Sequence, residues 1–205
     1  MDLLSKRINS LPISATLSMA AKARELKNNG VDIIGLSLGE PDFNTPEFIK
    51  DAAISAVNDN WNSYSPVDGY LDLKTAICNK FKRDNGISYE SSQIVVSTGA
   101  KQSIANVCMV LLNPGDEVLL PAPYWVSYSA IATLAEAESK IIPTSIDTDF
   151  KITPEQLENS INSKTKLVMF NSPNNPSGTI YTENELRALG KVLEKHPNIY
   201  ILSDE

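Results

Sequence analysis

The chain has 205 residues, 42% of them hydrophobic and 21% charged, which suits an ordinary soluble globular protein long enough to bury a core. Its formal net charge of −7, with no stretch that gathers basic residues, argues against a nucleic-acid partner, and no apolar run approaches the ~20 residues of a membrane span. One histidine, His196, and two cysteines, Cys78 and Cys108, in apolar helical patterns leave no metal site and no disulfide framework to build; both thiols are expected to be buried, in a cytoplasmic protein.

Residues 14–29 place Leu17, Ala20, Ala21 and Leu26 at helical spacing and stop at Asn28-Asn29-Gly30. Ile33-Ile34-Gly35-Leu36 reads as a short strand and Gly39-Glu40-Pro41-Asp42 as a turn. Thr45 before Pro46 predicts an N-cap and a first-turn proline for a helix reaching about residue 59. Residues 60–68 are irregular, and a further helix spans about 70–85, ending at Asn85-Gly86.

From residue 93 strands and helices alternate. The predicted strands are Ile94-Val95-Val96, Val118-Leu119-Leu120, Lys140-Ile141-Ile142, Leu167-Val168-Met169-Phe170 and Ile199-Tyr200-Ile201-Leu202. Helices are expected over about 99–112 and 124–135. Two more open at the capping boxes Thr153-Pro154-Glu155-Gln156 and Thr182-Glu183-Asn184-Glu185, the last reaching about Lys195 with His196 in its final turn. This rhythm predicts an α/β fold of three layers, αβα, with a largely parallel central sheet. The first 45 residues do not join it. A parallel strand normally feeds a crossover helix, so an ending at Glu205, directly after an apolar strand, reads as a truncation.

Four strand ends carry chemistry. At Ser97-Thr98-Gly99-Ala100-Lys101 a helix begins with free backbone N–H groups, a glycine, hydroxyls and a cation, which favours an anion, although such turns also occur with nothing bound. Trp125, after Pro123-Tyr124, is either a face for a planar ligand or a core or lid residue. The octapeptide Asn171-Ser172-Pro173-Asn174-Asn175-Pro176-Ser177-Gly178 is a rigid polar loop at the place where α/β sheets bind ligands, and it offers the amide of Asn175. Asp204 is either a carboxylate in need of a cation or an exposed strand-end residue. One ligand uses all four features, pyridoxal 5′-phosphate: its phosphate takes the cradle, its ring the indole, its phenolic oxygen the amide and its ring nitrogen the carboxylate.

In order and spacing, Ser37-Leu38-Gly39-Glu40-Pro41-Asp42-Phe43, Pro123-Tyr124-Trp125-Val126-Ser127-Tyr128, Asn171 through Gly178 and Ser203-Asp204-Glu205 resemble the class I aminotransferases of fold type I, with the bacterial aspartate aminotransferase branch the most similar. The resemblance covers essentially the whole chain, as the N-terminal half of such an enzyme. It implies that residues 1–45 belong to a small domain and 46–205 to the large, cofactor-binding domain. It implies that Gly99, Ala100 and Lys101 hold the phosphate, that Trp125 stacks on the pyridine ring, and that Asn175 bonds the phenolic oxygen and helps hold the substrate carboxylate. It implies further that Asp204 pairs with the ring nitrogen, that Gly39 offers its backbone to the substrate, and that Tyr64 reaches the phosphate of a neighbouring subunit in a homodimer.

The implied reaction moves an amino group between an amino acid, aspartate above all, and a 2-oxo acid. In the family the lysine that forms the Schiff base lies past the Ser-Asp-Glu segment, so no catalytic residue is assigned here, and Lys101, inside the phosphate turn, does not replace it. The expectation is therefore an aminotransferase fragment inactive by itself. A remnant that only dimerises or binds cofactor, and a lyase of the same fold, are the alternatives.

Overall fold

The computed structural model describes residues 3–36, 39 and 41–205. It divides into two compact units, Ala15–Ser97 and, with the segment up to Ser14, Thr98–Glu205. In that N-terminal segment a single turn, α1 (Lys6–Asn9), is capped by the Ser5 hydroxyl, which accepts the Ile8 N–H.

The first unit holds α2 (Ala15–Asn28), α3 (Glu47–Asn58) and α4 (Leu71–Lys80). α2 lies where the apolar spacing predicts it, and α3 follows Thr45-Pro46 as expected. The cap of α3 is Pro46, however, not Thr45, and no side chain bonds its first turn. α4 continues into a π-helical turn, Phe81–Asn85, closed by Gly86 in the left-handed region, as the Asn-Gly signal implies.

Two predicted strands are not strands. Residues 33–36 form no regular element and join no ladder, with Ile34 and Leu36 exposed. Residues 94–96 follow a 3-10 turn, Ser91–Gln93, and Val96 gives its N–H to the Asp68 carbonyl at 3.1 Å. A strand needs a neighbour, and an apolar triplet cannot say from sequence where that neighbour is. Gly69 meets Val96 closely: at φ 99° a Cβ there would stand 2.6 Å from Val96 Cγ2, so only glycine fits. The same turn is pinned by an ion pair between Asp68 and the buried Lys74 of α4.

The second unit is the three-layer αβα expected. It runs α5 (Ala100–Leu111), β1 (Glu117–Pro121), α6 (Ser127–Leu134), β2 (Glu138–Ile142), α7 (Pro154–Ser160), β3 (Thr165–Asn171), α8 (Glu183–Leu193) and β4 (Tyr200–Asp204). The sheet order is β2-β1-β3-β4, and every pairing is parallel. Both central strands are apolar on both faces, and their period of two sorts the core. Val118, Leu120, Leu167 and Met169 face Ile104 and Cys108 of α5 and Tyr128 and Ile131 of α6. Leu119 and Val168 face Leu157 of α7 and Leu189 and Val192 of α8.

Both predicted capping boxes form, Thr153 with Gln156 and Thr182 with Glu185. α6 starts at Ser127 rather than at Tyr124: after β1 the chain bends at Ala122 and Pro123, and Tyr124 and Trp125 join no regular element before the turn at Val126. α8 ends at Leu193, so His196 lies beyond the helix, 3.4 Å from Glu158 Oε1, and not in its last turn. Cys108 is fully buried, as expected, but Cys78 is only half-buried.

Among the described residues no helix is long and apolar enough to cross a membrane, and no cluster of acidic, histidine and cysteine residues could hold a metal ion.

Candidate functional site

Parallel pairing puts the carboxyl ends of β1, β3 and β4 along one sheet edge, with Asn171 opposite Asp204 in register. The segments that leave that edge carry Trp125, Asn175 and Asp204, and α5 begins beside them.

Gly99 is the N-cap of α5, with φ 84° and ψ 164°. A Cβ built there meets nothing within 4 Å, so the backbone conformation alone selects glycine. The Ala100 and Lys101 amides that follow have no intrahelical acceptor, which leaves two donors and the positive end of the helix dipole facing outward. The Thr98 amide is not part of that set, because the Gln102 side-chain carbonyl accepts it. The Lys101 ammonium lies over the Trp125 ring, 4.9 Å from its centre, a cation–π contact between the start of α5 and the segment after β1.

Trp125 is half-buried and packs against the α5–α6 core. Its ring meets Tyr128 edge to face at 5.6 Å. Tyr128, fully buried in α6, donates its hydroxyl to Asp204 Oδ2 at 2.6 Å. Burial first, and then the hydrogen bond to Asp204 and its charge, push the Tyr128 hydroxyl far above the usual tyrosine range, so it stays a donor. A continuous path of contacts therefore runs from Lys101 through Trp125 and Tyr128 to Asp204. The Asp204 carboxylate is half-buried with its Oδ2 taken by Tyr128. Tyr128 closes the motif that begins at Pro123, but its bond to a residue 76 positions away leaves no trace in sequence.

The loop 171–178 is a hydrogen-bonded knot. The Asn174 side chain donates to the Pro123 carbonyl and to Asn171 Oδ1, and accepts from the Ser177 amide and hydroxyl. Asn171 in turn donates to the Pro173 carbonyl, and Tyr181 gives its N–H to the Ser172 hydroxyl. Asn175, next to this knot, is exposed at the strand-end edge.

Gly39 and Tyr64 belong to the other unit. Gly39 is exposed with open space around it, and Tyr64 is fully exposed. Ser37, Leu38 and Glu40 of the same motif lie outside the described residues.

The family Aminotransferase class I and II matches residues 31–205. The chain belongs to the class I and II aminotransferases. Among curated members of this aminotransferase family, the aspartate/prephenate aminotransferase of Nitrosomonas europaea is 48% identical over 202 residues, 98% of this chain and 51% of the relative. The aspartate aminotransferase of Bacillus subtilis is 49% identical over the same shares. The crystal structure of the aspartate aminotransferase from Rhizobium meliloti superposes with a TM-score of 0.95 at 42% identity, over 100% of this chain and 51% of that one. The chain thus spans about half the length of the aminotransferases it matches.

Proposed function

We propose that the protein is a pyridoxal-phosphate-dependent aminotransferase, moving an amino group between an amino acid, aspartate above all, and a 2-oxo acid. The supporting observation is the contact path from Lys101 over Trp125 and Tyr128 to Asp204 at the strand-end edge, capped by the unpaired amides of α5. That donor set fits the cofactor: an anion site, an indole and a half-buried carboxylate are placed in sequence. When bound, the cofactor supplies a sink for the electrons left as the substrate's α C–H bond breaks.

The chain's own residues bind and orient. The Ala100 and Lys101 amides and the Lys101 charge hold the phosphate, and Gly99 gives it close backbone approach. Trp125 supports the ring. Asn175 donates its amide to the phenolic oxygen and helps hold the substrate carboxylate. Asp204, kept in place by Tyr128, would pair with the ring nitrogen and favour its protonated form. Gly39 offers backbone to the substrate. Tyr64, with its whole side chain exposed, reaches the phosphate of a second copy, which makes the working unit a homodimer. In this reading residues 1–45 are part of a small domain, the protein is cytoplasmic, and the 205 residues by themselves do not turn over, because the lysine that bonds the cofactor follows the Ser-Asp-Glu segment in the family pattern.

The test is to express the complete protein with pyridoxal phosphate and follow transfer from aspartate to a 2-oxo acid by amino-acid analysis. Bound cofactor and a new amino acid are expected. A complete protein that binds no cofactor, or binds it and transfers no amino group, overturns the reading, and turnover by the 205-residue chain alone overturns the lysine assignment.

A further inference from the structure

We propose that Asn174 is a positioning residue that acts through Asn175, its neighbour; the inference rests on the cofactor reading for what Asn175 touches. Two adjacent asparagines divide the work. The Asn174 carboxamide uses its full capacity, two donated and two accepted bonds: Nδ2 to the Pro123 carbonyl at 3.2 Å and to Asn171 Oδ1 at 3.1 Å, Oδ1 from the Ser177 amide at 3.1 Å and the Ser177 hydroxyl at 2.7 Å. Its backbone is held as well, the N–H by the Thr179 carbonyl at 2.9 Å and the carbonyl by the Gly178 N–H at 2.7 Å.

The bond to Pro123 reaches 51 residues back, to the segment leaving β1, and the bond to Asn171 reaches the end of β3. Asn174 thus fastens the loop to two neighbouring strand ends at once. On its other side Asn175 is followed by Pro176, whose ring fixes φ. With both flanks held, the exposed Asn175 keeps little freedom beyond its own side-chain rotamers. A donor aimed at a ligand oxygen gains from that restriction, because ordering need not accompany binding.

The experiment measures dissociation constants of the complete protein for pyridoxal phosphate and for its 3-deoxy analogue, which lacks the phenolic oxygen. The variants are Asn174→Ala, Asn175→Ala, the double variant, and Ser177→Ala, which removes the hydroxyl's bond to Asn174 Oδ1 and its contacts with Thr179 but keeps the bond from the Ser177 amide. Asn174→Ala is expected to weaken pyridoxal phosphate about fivefold, a fraction of what a hydrogen bond to a charged oxygen supplies. The loss should fall below about twofold with the 3-deoxy analogue and in the Asn175→Ala background. Ser177→Ala should show the same pattern at about twofold, and it carries the test if Asn174→Ala does not fold. Equal losses for both ligands, additivity with Asn175→Ala, or no loss at all overturns the proposal while leaving the cofactor reading intact. A wild-type protein that binds neither ligand removes both.

Discussion

Removing the Tyr128 hydroxyl tests the link between the core and the strand-end carboxylate. Tyr128 has no exposed surface, and its hydroxyl lies 2.6 Å from Asp204 Oδ2. A hydrogen bond to a charged group contributes about 1.5–3 kcal/mol. Asp204 is half-buried and can take water in place of the hydroxyl, so Tyr128→Phe should destabilise by only about 1–1.5 kcal/mol. Asp204→Ala is the harsher change, about 2 kcal/mol, because it strands a hydroxyl inside the core. The double variant has no stranded group and should sit near 1.5 kcal/mol, which makes the coupling about 1.5–2 kcal/mol. The signature is a reversal of sign: in the Asp204→Ala background, Tyr128→Phe becomes neutral or stabilising. Urea denaturation of the four proteins, compared at constant slope, reads this directly. Because burial pushes the Tyr128 hydroxyl up, the coupling should hold steady from about pH 6 to pH 9. Additive losses, with coupling under about 0.5 kcal/mol, would refute the argument that this hydroxyl belongs to Asp204.

Gly99→Ala places a side chain at φ 84° with no steric neighbour, so any penalty is backbone strain of about 1–3 kcal/mol; thermal melts and phosphate-ester binding should both worsen, and an unchanged affinity counts against the cradle. Burial pushes the Cys108 thiol up to about 11 from an ordinary 9.0. A raised folded value means the contribution is complete below pH 9 and lost as pH climbs towards 11, by at most about 3 kcal/mol over the window; Cys108→Ala should flatten that stretch of the denaturation profile, and identical alkaline losses in both proteins contradict it. Glu185 is held below the usual carboxylate range, first by the Thr182 backbone N–H and then by Lys151. A lowered folded value gives stability that is present above the unfolded value and lost as pH falls through the folded one. Glu185→Gln should therefore remove part of the acid-side slope, and a slope the same in both proteins rejects the assignment.

The four strands were legible because each carries two or more consecutive apolar residues bounded by turn residues, with helix caps at fixed offsets such as Thr182 and Glu185. Those signals are local. The triplet Ile94-Val95-Val96 carries the same composition without becoming a strand, since pairing is decided by a partner that composition does not name. Trp125 and Asp204 could be singled out as strand-end residues, and the contact path between them bears on the choice left open for each. Tyr128 stands in the sequence only as the last residue of the motif that begins at Pro123. Nothing in Asn174-Asn175 says that the first carboxamide is spent inside the protein and the second is presented outward; that difference lies in hydrogen bonds to Pro123 and Ser177.

The two borders of the sheet are unlike each other. β2 ends one side, and its Glu138 and Lys140 place charge among its apolar residues. β4 ends the other with Tyr200 and Ile201 about half exposed, 50% and 53%, and with no ladder partner on its outer side among the described residues. A bare apolar edge is a template for edge-to-edge association, and charge is the usual guard against it. Of the two borders, the apolar one at β4 is therefore the side on which this sheet can take a further strand, and the charged one at β2 is not.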